Sequence, residues 1–286
     1  VTAIFDDVKR NGNDGVKRYT SIFDGVELDE LFVSEEEVLE AEKLVSNELR
    51  AAIQTAKTNI SAFHSAQKTD KIFVDIAEGI ECWQEKRPIQ KVGLYIPGGT
   101  APLFSSVLML AVPAQIAGCK EIVLSTPPNK KGKIHPAIIY AAQLCGVTKI
   151  VKVGGIQAIA ALTFGTETIP KVYKIFGPGN AYVNAAKKIC SNDVAIDLPA
   201  GPSEVMIVTN DVEKCSIAAA DALSQLEHDS NSRAFIISNN LRILKKIEAE
   251  IKKQTKLLQR QTILSKSLEN LLLIKAKSFN DALILI

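Results

Sequence analysis

Four times between residues 91 and 203, a short run rich in β-branched residues ends in a glycine-bearing loop, and the first three of these loops open a helical pattern. KVGLYI leads into Pro97-Gly98-Gly99, KIVKV into Gly154-Gly155, VYKIFG into Gly177-Pro178-Gly179-Asn180, and VAID into Ala200-Gly201-Pro202-Ser203. EIVLST supplies a further strand between the first two. A helix between successive strands cannot be a hairpin, so the strands must run parallel, and their unbroken apolar character says that helices cover both faces. In such a sheet the loops that leave the carboxyl ends of the strands are where ligands bind. Glycine there lets a phosphate or amide approach the backbone, and a helix N-terminus adds free N–H donors. The same glycines also suit a tight strand-to-helix turn with no ligand at all. No G-x-G-x-x-G occurs, so a dinucleotide bound here is not held by the usual fingerprint.

Either side of this region the pattern changes. Residues 1–65 read as helical, and Ser34 with Glu37 three residues on forms a capping-box pattern. Strand character follows around 72–76 and 80–84. After DLPAGPS the alternation resumes with EVMIVT, a helix over 212–228, RAFIISN, and a lysine-rich helix through 258. The expected fold is α/β, with two Rossmann-like lobes of mostly parallel sheet covered by helices. The expected division puts 1–94 plus 203–286 in the first lobe, the N-terminal part of it helical. The second, 95–202, is inserted into it.

At 286 residues and 47% hydrophobic, the chain can bury core enough for two lobes. Its 34 basic and 32 acidic side chains leave a net charge of +2, too weak a field to draw nucleic acid or an anionic membrane. Trp83 alone makes no base-stacking platform. No apolar run reaches the roughly 20 residues that span a bilayer. The five cysteines are odd in number and never spaced CxxC, which argues against a disulfide framework and a thiolate zinc site. They read as buried, reduced thiols in a cytoplasmic protein. The chain starts inside a helical pattern without Met and stops at ALILI, so it is expected to be an internal window of a longer polypeptide.

The sharpest chemical signal is Gln225-Leu226-Glu227-His228. At about 100° per residue, Asp221, Gln225 and His228 share one narrow stripe of the 212–228 helix. An imidazole and an amide oxygen on an otherwise Ala-, Leu- and Ile-rich helix suit Zn²⁺. A histidine at a helix end is equally what the helix dipole favours. Two protein ligands are too few for a zinc site, so others must come from elsewhere. His64, beside Ile60 and Phe63, reads as a packing or hydrogen-bonding histidine, and His135 as a solvent-exposed one. The absence of HExxH argues against a zinc hydrolase.

GLYIPGGTAPLFSSVLMLAVPAQIAGC, VGGIQAIAALTFGT, KIFGPGNAYV, DLPAGPSEV and LSQLEH, in that order, resemble the histidinol dehydrogenase family over residues 10–286. The resemblance implies oxidation of L-histidinol to L-histidine through histidinaldehyde, the last step of histidine biosynthesis. It also implies two NAD⁺ consumed in turn and a homodimer. Carried onto this chain, Gln225 and His228 are zinc ligands that also touch substrate, and Ser203 is a substrate contact. Tyr95, Gln157 and Asn180 contact NAD, and Asp221 is a candidate to orient the zinc ligands. The family's catalytic Glu-His pair and its remaining Asp and His zinc ligands fall beyond residue 286, so this window alone is expected to be inactive. Two alternatives stay open: a paralogous NAD-dependent dehydrogenase of another small polar alcohol, and a non-catalytic nucleotide-binding domain.

Overall fold

A parallel strand has no partner of its own making and must wait for a helix to bring the next strand alongside. The computed structural model describes residues 1–98, 102–199 and 204–285 and shows that arrangement twice over. The chain divides into two units, Val1–Ala200 and Gly201–Ile286.

The first unit begins with three helices, α1 (Thr2–Asp24), α2 (Glu35–Leu44) and α3 (Asn47–Ala66). Next comes an antiparallel pair, β1 (Ile72–Ala77) and β2 (Ile80–Gln84), exposed along its whole length. Then follow β3 (Lys91–Tyr95), α4 (Phe104–Ala117), β4 (Glu121–Ser125), α5 (Pro136–Leu144) and β5 (Lys149–Val151). The unit ends with α6 (Gly155–Phe164), β6 (Lys174–Phe176), α7 (Ala181–Cys190) and β7 (Ala195–Ile196). Strands β3 to β7 form one all-parallel sheet in the order β5-β4-β3-β6-β7. The chain therefore builds outward from β3 in one direction, returns, and builds outward in the other.

Alternation along each strand distributes the core between two faces. Val92, Leu94, Ile122, Leu124 and Ile150 point to the side covered by α3, α4 and α5, while Tyr95, Val123 and Val151 point to the side covered by α1, α6 and α7. Most of these side chains are almost wholly buried, and each contributes about 1.5–3 kcal/mol by leaving water. The capping box is present as expected: Ser34 Oγ accepts from Glu37 N–H at 3.2 Å, and Glu37 Oε2 accepts from Ser34 N–H at 3.0 Å. Glu37 also pairs with the largely buried Lys152 at 3.1 Å, tying the start of α2 to the residue after β5.

The second unit runs β8 (Glu204–Val208), a single 3-10 turn at Val212–Lys214, α8 (Cys215–Leu226), β9 (Arg233–Ser238), α9 (Leu241–Thr255), α10 (Gln261–Ser267), β10 (Leu271–Lys275) and α11 (Phe279–Ile284). Its three strands are parallel in the order β10-β9-β8. Ala219, Ala222, Leu226, Ile236 and Ile247 form its core.

Mostly parallel sheets covered by helices are thus what the chain forms. The division is not the expected one. The boundary placed near Tyr95 falls at the end of β3, the middle strand of the sheet, and residues 1–94 belong with the first unit. The physical reason is that α1, α2 and α3 bury their apolar faces against α6, α5 and α4 respectively. The thiols also need correction: all five cysteines are free, but Cys82 lies exposed on β2. Among the described residues no helix is long and apolar enough to cross a membrane.

Ser34→Ala removes one half of the capping box and is expected to destabilise the protein by about 1 kcal/mol. Urea unfolding checks this, and an unchanged midpoint would mean that the Glu37–Lys152 pair alone holds the start of α2.

Candidate functional site

At the carboxyl edge of the five-stranded sheet the loops after β3, β5 and β6 are drawn together around Tyr95. Its hydroxyl oxygen accepts from the Gly155 N–H at 3.0 Å, which joins the end of β3 to the first residue of α6. Gly177, the first residue after β6, has φ 123° and lies so close that a Cβ would overlap the Tyr95 carbonyl oxygen. Only glycine meets both conditions. On the other side of β3, a Cβ at Gly98 or Gly154 would press into the ring of Pro127, so the loops after β3, β4 and β5 also touch. Gly155 and Gly179 accordingly lie on one edge, as expected; Gly99 lies outside the described residues.

Of the residues expected to contact NAD, Tyr95 is 3% exposed and Gln157 is wholly buried on α6. Both polar atoms of the Gln157 amide lack a hydrogen-bond partner, and its Oε1 lies against Gly155. An unpaired buried amide costs about 1–3 kcal/mol, so its place at the carboxyl edge of the sheet is informative. Asn180 is exposed at the N-cap of α7, where its Oδ1 accepts from Tyr182 N–H at 3.1 Å and Val183 N–H at 3.0 Å. The sequence reading missed that capping role. Tyr95 and Gln157 thus meet through Gly155, and Asn180 stands three residues beyond the glycine packed on Tyr95.

Burial pushes the Tyr95 phenol up to about 12, opposed by the Gly155 hydrogen bond and reinforced by the carboxylate of Asp24. Burial also raises Asp24, at the end of α1, and one of its oxygens is buried without a hydrogen-bond partner. Tyr95 is therefore a neutral hydroxyl whose own proton remains to be donated. Burial likewise pushes the Cys145 thiol up to about 11 and raises Cys190, so neither is a thiolate nucleophile at neutral pH. A cavity of about 440 Å³ adjoins this edge, lined by Glu37, Pro97, Gly98, Pro127 and His135 among others, but not by Tyr95, Gln157 or Asn180.

An ion pair between a buried lysine and a partly exposed aspartate lies behind the loop after β6. The Lys187 ammonium, on α7, donates to the Gly177 carbonyl at 2.8 Å and pairs with Asp197. The second Asp197 oxygen accepts from the Gly177 N–H at 2.7 Å. Sequence reasoning passed over both residues. The signal was available, because Val183, Ala186, Lys187 and Cys190 recur at the spacing of one helix face, which puts Lys187 inward and Lys188 outward.

The expected metal ligands lie in the second unit. Gln225 is half-buried near the end of α8, and His228 is exposed. The stripe read from the sequence holds for Asp221 and Gln225 only. α8 ends at Leu226, and His228 follows in a tightened turn in which its N–H bonds to the Gln225 carbonyl at 3.2 Å. Among the described residues no group of three or more His, Cys, Asp or Glu side chains is placed to hold a metal ion. Ser203 lies outside the described residues. His64 and His135 are as expected: His64 Nδ1 bonds to Gln67 at 2.8 Å, and the exposed His135 caps α5 through Nδ1.

A family model described as histidinol dehydrogenase matches residues 1–286. Histidinol dehydrogenase of Bacteroides thetaiotaomicron is 54% identical over 284 residues, covering 99% of this chain and 66% of that protein. The crystal structure of histidinol dehydrogenase from Elizabethkingia anophelis is 47% identical with a TM-score of 0.97, over 99% of this chain and 66% of that one. The chain therefore spans a little under two thirds of the length of these relatives. A propionaldehyde dehydrogenase from Rhodopseudomonas palustris matches 99% of this chain and 72% of its own, at 13% identity and a TM-score of 0.50, a likeness of fold alone.

The raised Tyr95 pKa has a consequence for stability. The stability that comes from keeping the phenol neutral is present below its ordinary value of 10.0 and is lost as pH rises through about 12. Tyr95→Phe should flatten this alkaline loss in unfolding measured from pH 9 to about 12. Equal losses in both proteins would mean that Tyr95 ionises like an exposed phenol.

Proposed function

This chain belongs to the histidinol dehydrogenase family, and on that footing we propose that the full-length protein oxidises L-histidinol to L-histidine through histidinaldehyde, the last step of histidine biosynthesis, using NAD⁺ and zinc. The observation that carries the NAD part is the convergence of Tyr95, the unpaired Gln157 amide and the Gly177–Asn180 loop at the carboxyl edge of β3 and β6. That is where strand order reverses, the place at which doubly wound sheets bind dinucleotides. In this reading the two parallel sheets are Rossmann-like lobes.

The residues present fit a dinucleotide. Gln157 offers a buried donor and acceptor and Tyr95 a neutral hydroxyl, beside an α7 start whose Tyr182 and Val183 N–H groups Asn180 already caps. Bound there, NAD⁺ supplies the hydride acceptor. The chain's own part is to orient it: Tyr95, anchored by Gly155, donates from a fixed position, and Asn180 holds the first turn of α7 in place. For zinc the fit is partial. Gln225 and His228 are N/O donors of suitable kind, and Ser203 is a substrate contact in this reading. Two ligands do not close a zinc site, and no chemical step is assigned to the metal. A soluble homodimer of cytoplasmic location completes the reading.

The test is NADH formation from L-histidinol by the full-length protein. No turnover with histidinol but turnover of another polar alcohol would make it a paralogue, and no NAD⁺ binding at all would make it a different kind of domain. In the active protein, Asn180→Ala is expected to raise KM for NAD⁺ more than it lowers kcat, because a contact made in ground and transition states alike contributes to binding. Loss of kcat at unchanged NAD⁺ affinity would contradict that role.

Zinc gives a second measurement. The 286-residue chain is expected to bind Zn²⁺ weakly or not at all and to be inactive, beside tight stoichiometric binding by the full-length protein. Equal, tight calorimetric titrations would show that the ligand assignment to Gln225 and His228 is wrong.

A further inference from the structure

We propose that Lys187 and Asp197 are positioning residues that fix the Gly177–Asn180 loop for the dinucleotide, an inference that rests on the NAD reading above. The pair closes on Gly177 from both sides. Asp197 accepts from its N–H at 2.7 Å, Lys187 donates to its carbonyl at 2.8 Å, and ammonium and carboxylate meet each other. The N–H belongs to the peptide plane before Gly177 and the carbonyl to the plane after it. Because peptide units are planar, holding both atoms fixes both dihedrals of the residue between them.

Gly177 needs that restraint. It has no Cβ to limit it, its φ is 123°, and the end of β3 admits nothing larger. A free glycine here would let the following residues swing about one backbone joint. Those residues are Pro178, Gly179 and Asn180, and they lead directly into the first N–H groups of α7. The ammonium comes from two turns along that same helix. The clamp therefore sets where the start of α7 faces relative to Tyr95.

Burial says that the pair does more than fill space. The Lys187 side chain is 1% exposed, on a helix face otherwise made of Val183, Ala186 and Cys190. Burying an ammonium costs several kcal/mol, and an apolar residue of similar volume would pack there without that penalty. What the apolar residue could not do is hold a particular carbonyl in a particular direction. The neighbouring Lys188 is exposed and makes no such bond to the loop.

The test uses the full-length protein and four variants: Lys187→Met, Asp197→Asn, Lys187→Arg, and Lys187→Met combined with Asp197→Leu. The first two are expected to raise KM for NAD⁺ about tenfold or more, with kcat and KM for the alcohol within about twofold. Lys187→Arg, which keeps the charge, should recover most of the NAD⁺ affinity. The double variant removes the buried ammonium together with its partly exposed carboxylate partner, so its thermal midpoint should recover while its KM for NAD⁺ stays high. If the double variant regains both, the pair is only structural and the proposal is overturned; wild-type NAD⁺ affinity in Asp197→Asn overturns it as well. Should Lys187→Met fail to fold, Asp197→Asn and the double variant still decide. A wild-type protein that neither binds nor reduces NAD⁺ would instead overturn the NAD reading and this inference with it, whereas NAD⁺ binding that all variants retain would overturn only the positioning role.

Discussion

The contact between the Gly177 backbone and the Tyr95 carbonyl is the constraint around which the carboxyl edge of the first unit is arranged. Parallel strands sit at a fixed spacing, and β3 and β6 are neighbours only because the chain crosses back over the sheet after β5. Where they end, the loop from β6 must turn away immediately, and it can do so only with a residue that has no side chain. The Tyr95 hydroxyl then reaches the other way, to Gly155, so that one tyrosine touches the loops of two strands. The side chain that anchors the edge keeps its proton further into the alkaline range because it is buried, and it is buried because β3 is the middle strand.

Much of this was legible in the sequence, and for identifiable reasons. Strands flanked by helices and ended by glycine loops leave a parallel sheet as the only consistent arrangement, and the Ser34–Glu37 spacing gave the start of α2 to the residue. The boundary near Tyr95 misled because a change from helical to βα pattern marks a change of secondary structure, not of core. α1, α2 and α3 have amphipathic faces, and nothing local says which sheet such a face will cover. The end of α8 was misplaced by two residues, which is enough to take His228 off the stripe that made it look aligned with Asp221. Helix periodicity says nothing about where the helix stops when no glycine or proline marks the end.

The polar residues show a similar division. Tyr95, Gln157 and Asn180 were named through resemblance, and their surroundings could not have been read from spacing. Asn180 is both an exposed side chain and a helix cap, and Gln157 is a carboxamide with no protein partner inside an otherwise apolar helix face. Thr20 and Asp24, four residues apart on α1, also carry buried oxygens without partners. Lys187 was passed over, although the spacing of its apolar neighbours Val183, Ala186 and Cys190 placed it inward.

The order of strands in the sheet also bears on how the molecule is made. β3 and β6 are adjacent in space but about 80 residues apart along the chain, and bringing such distant segments together carries a loop-closure entropy that local contacts cannot offset. The carboxyl edge therefore has no precursor in any shorter stretch of the chain, because it needs Tyr95 from β3, Gly155 from after β5 and Gly177 from after β6 at once.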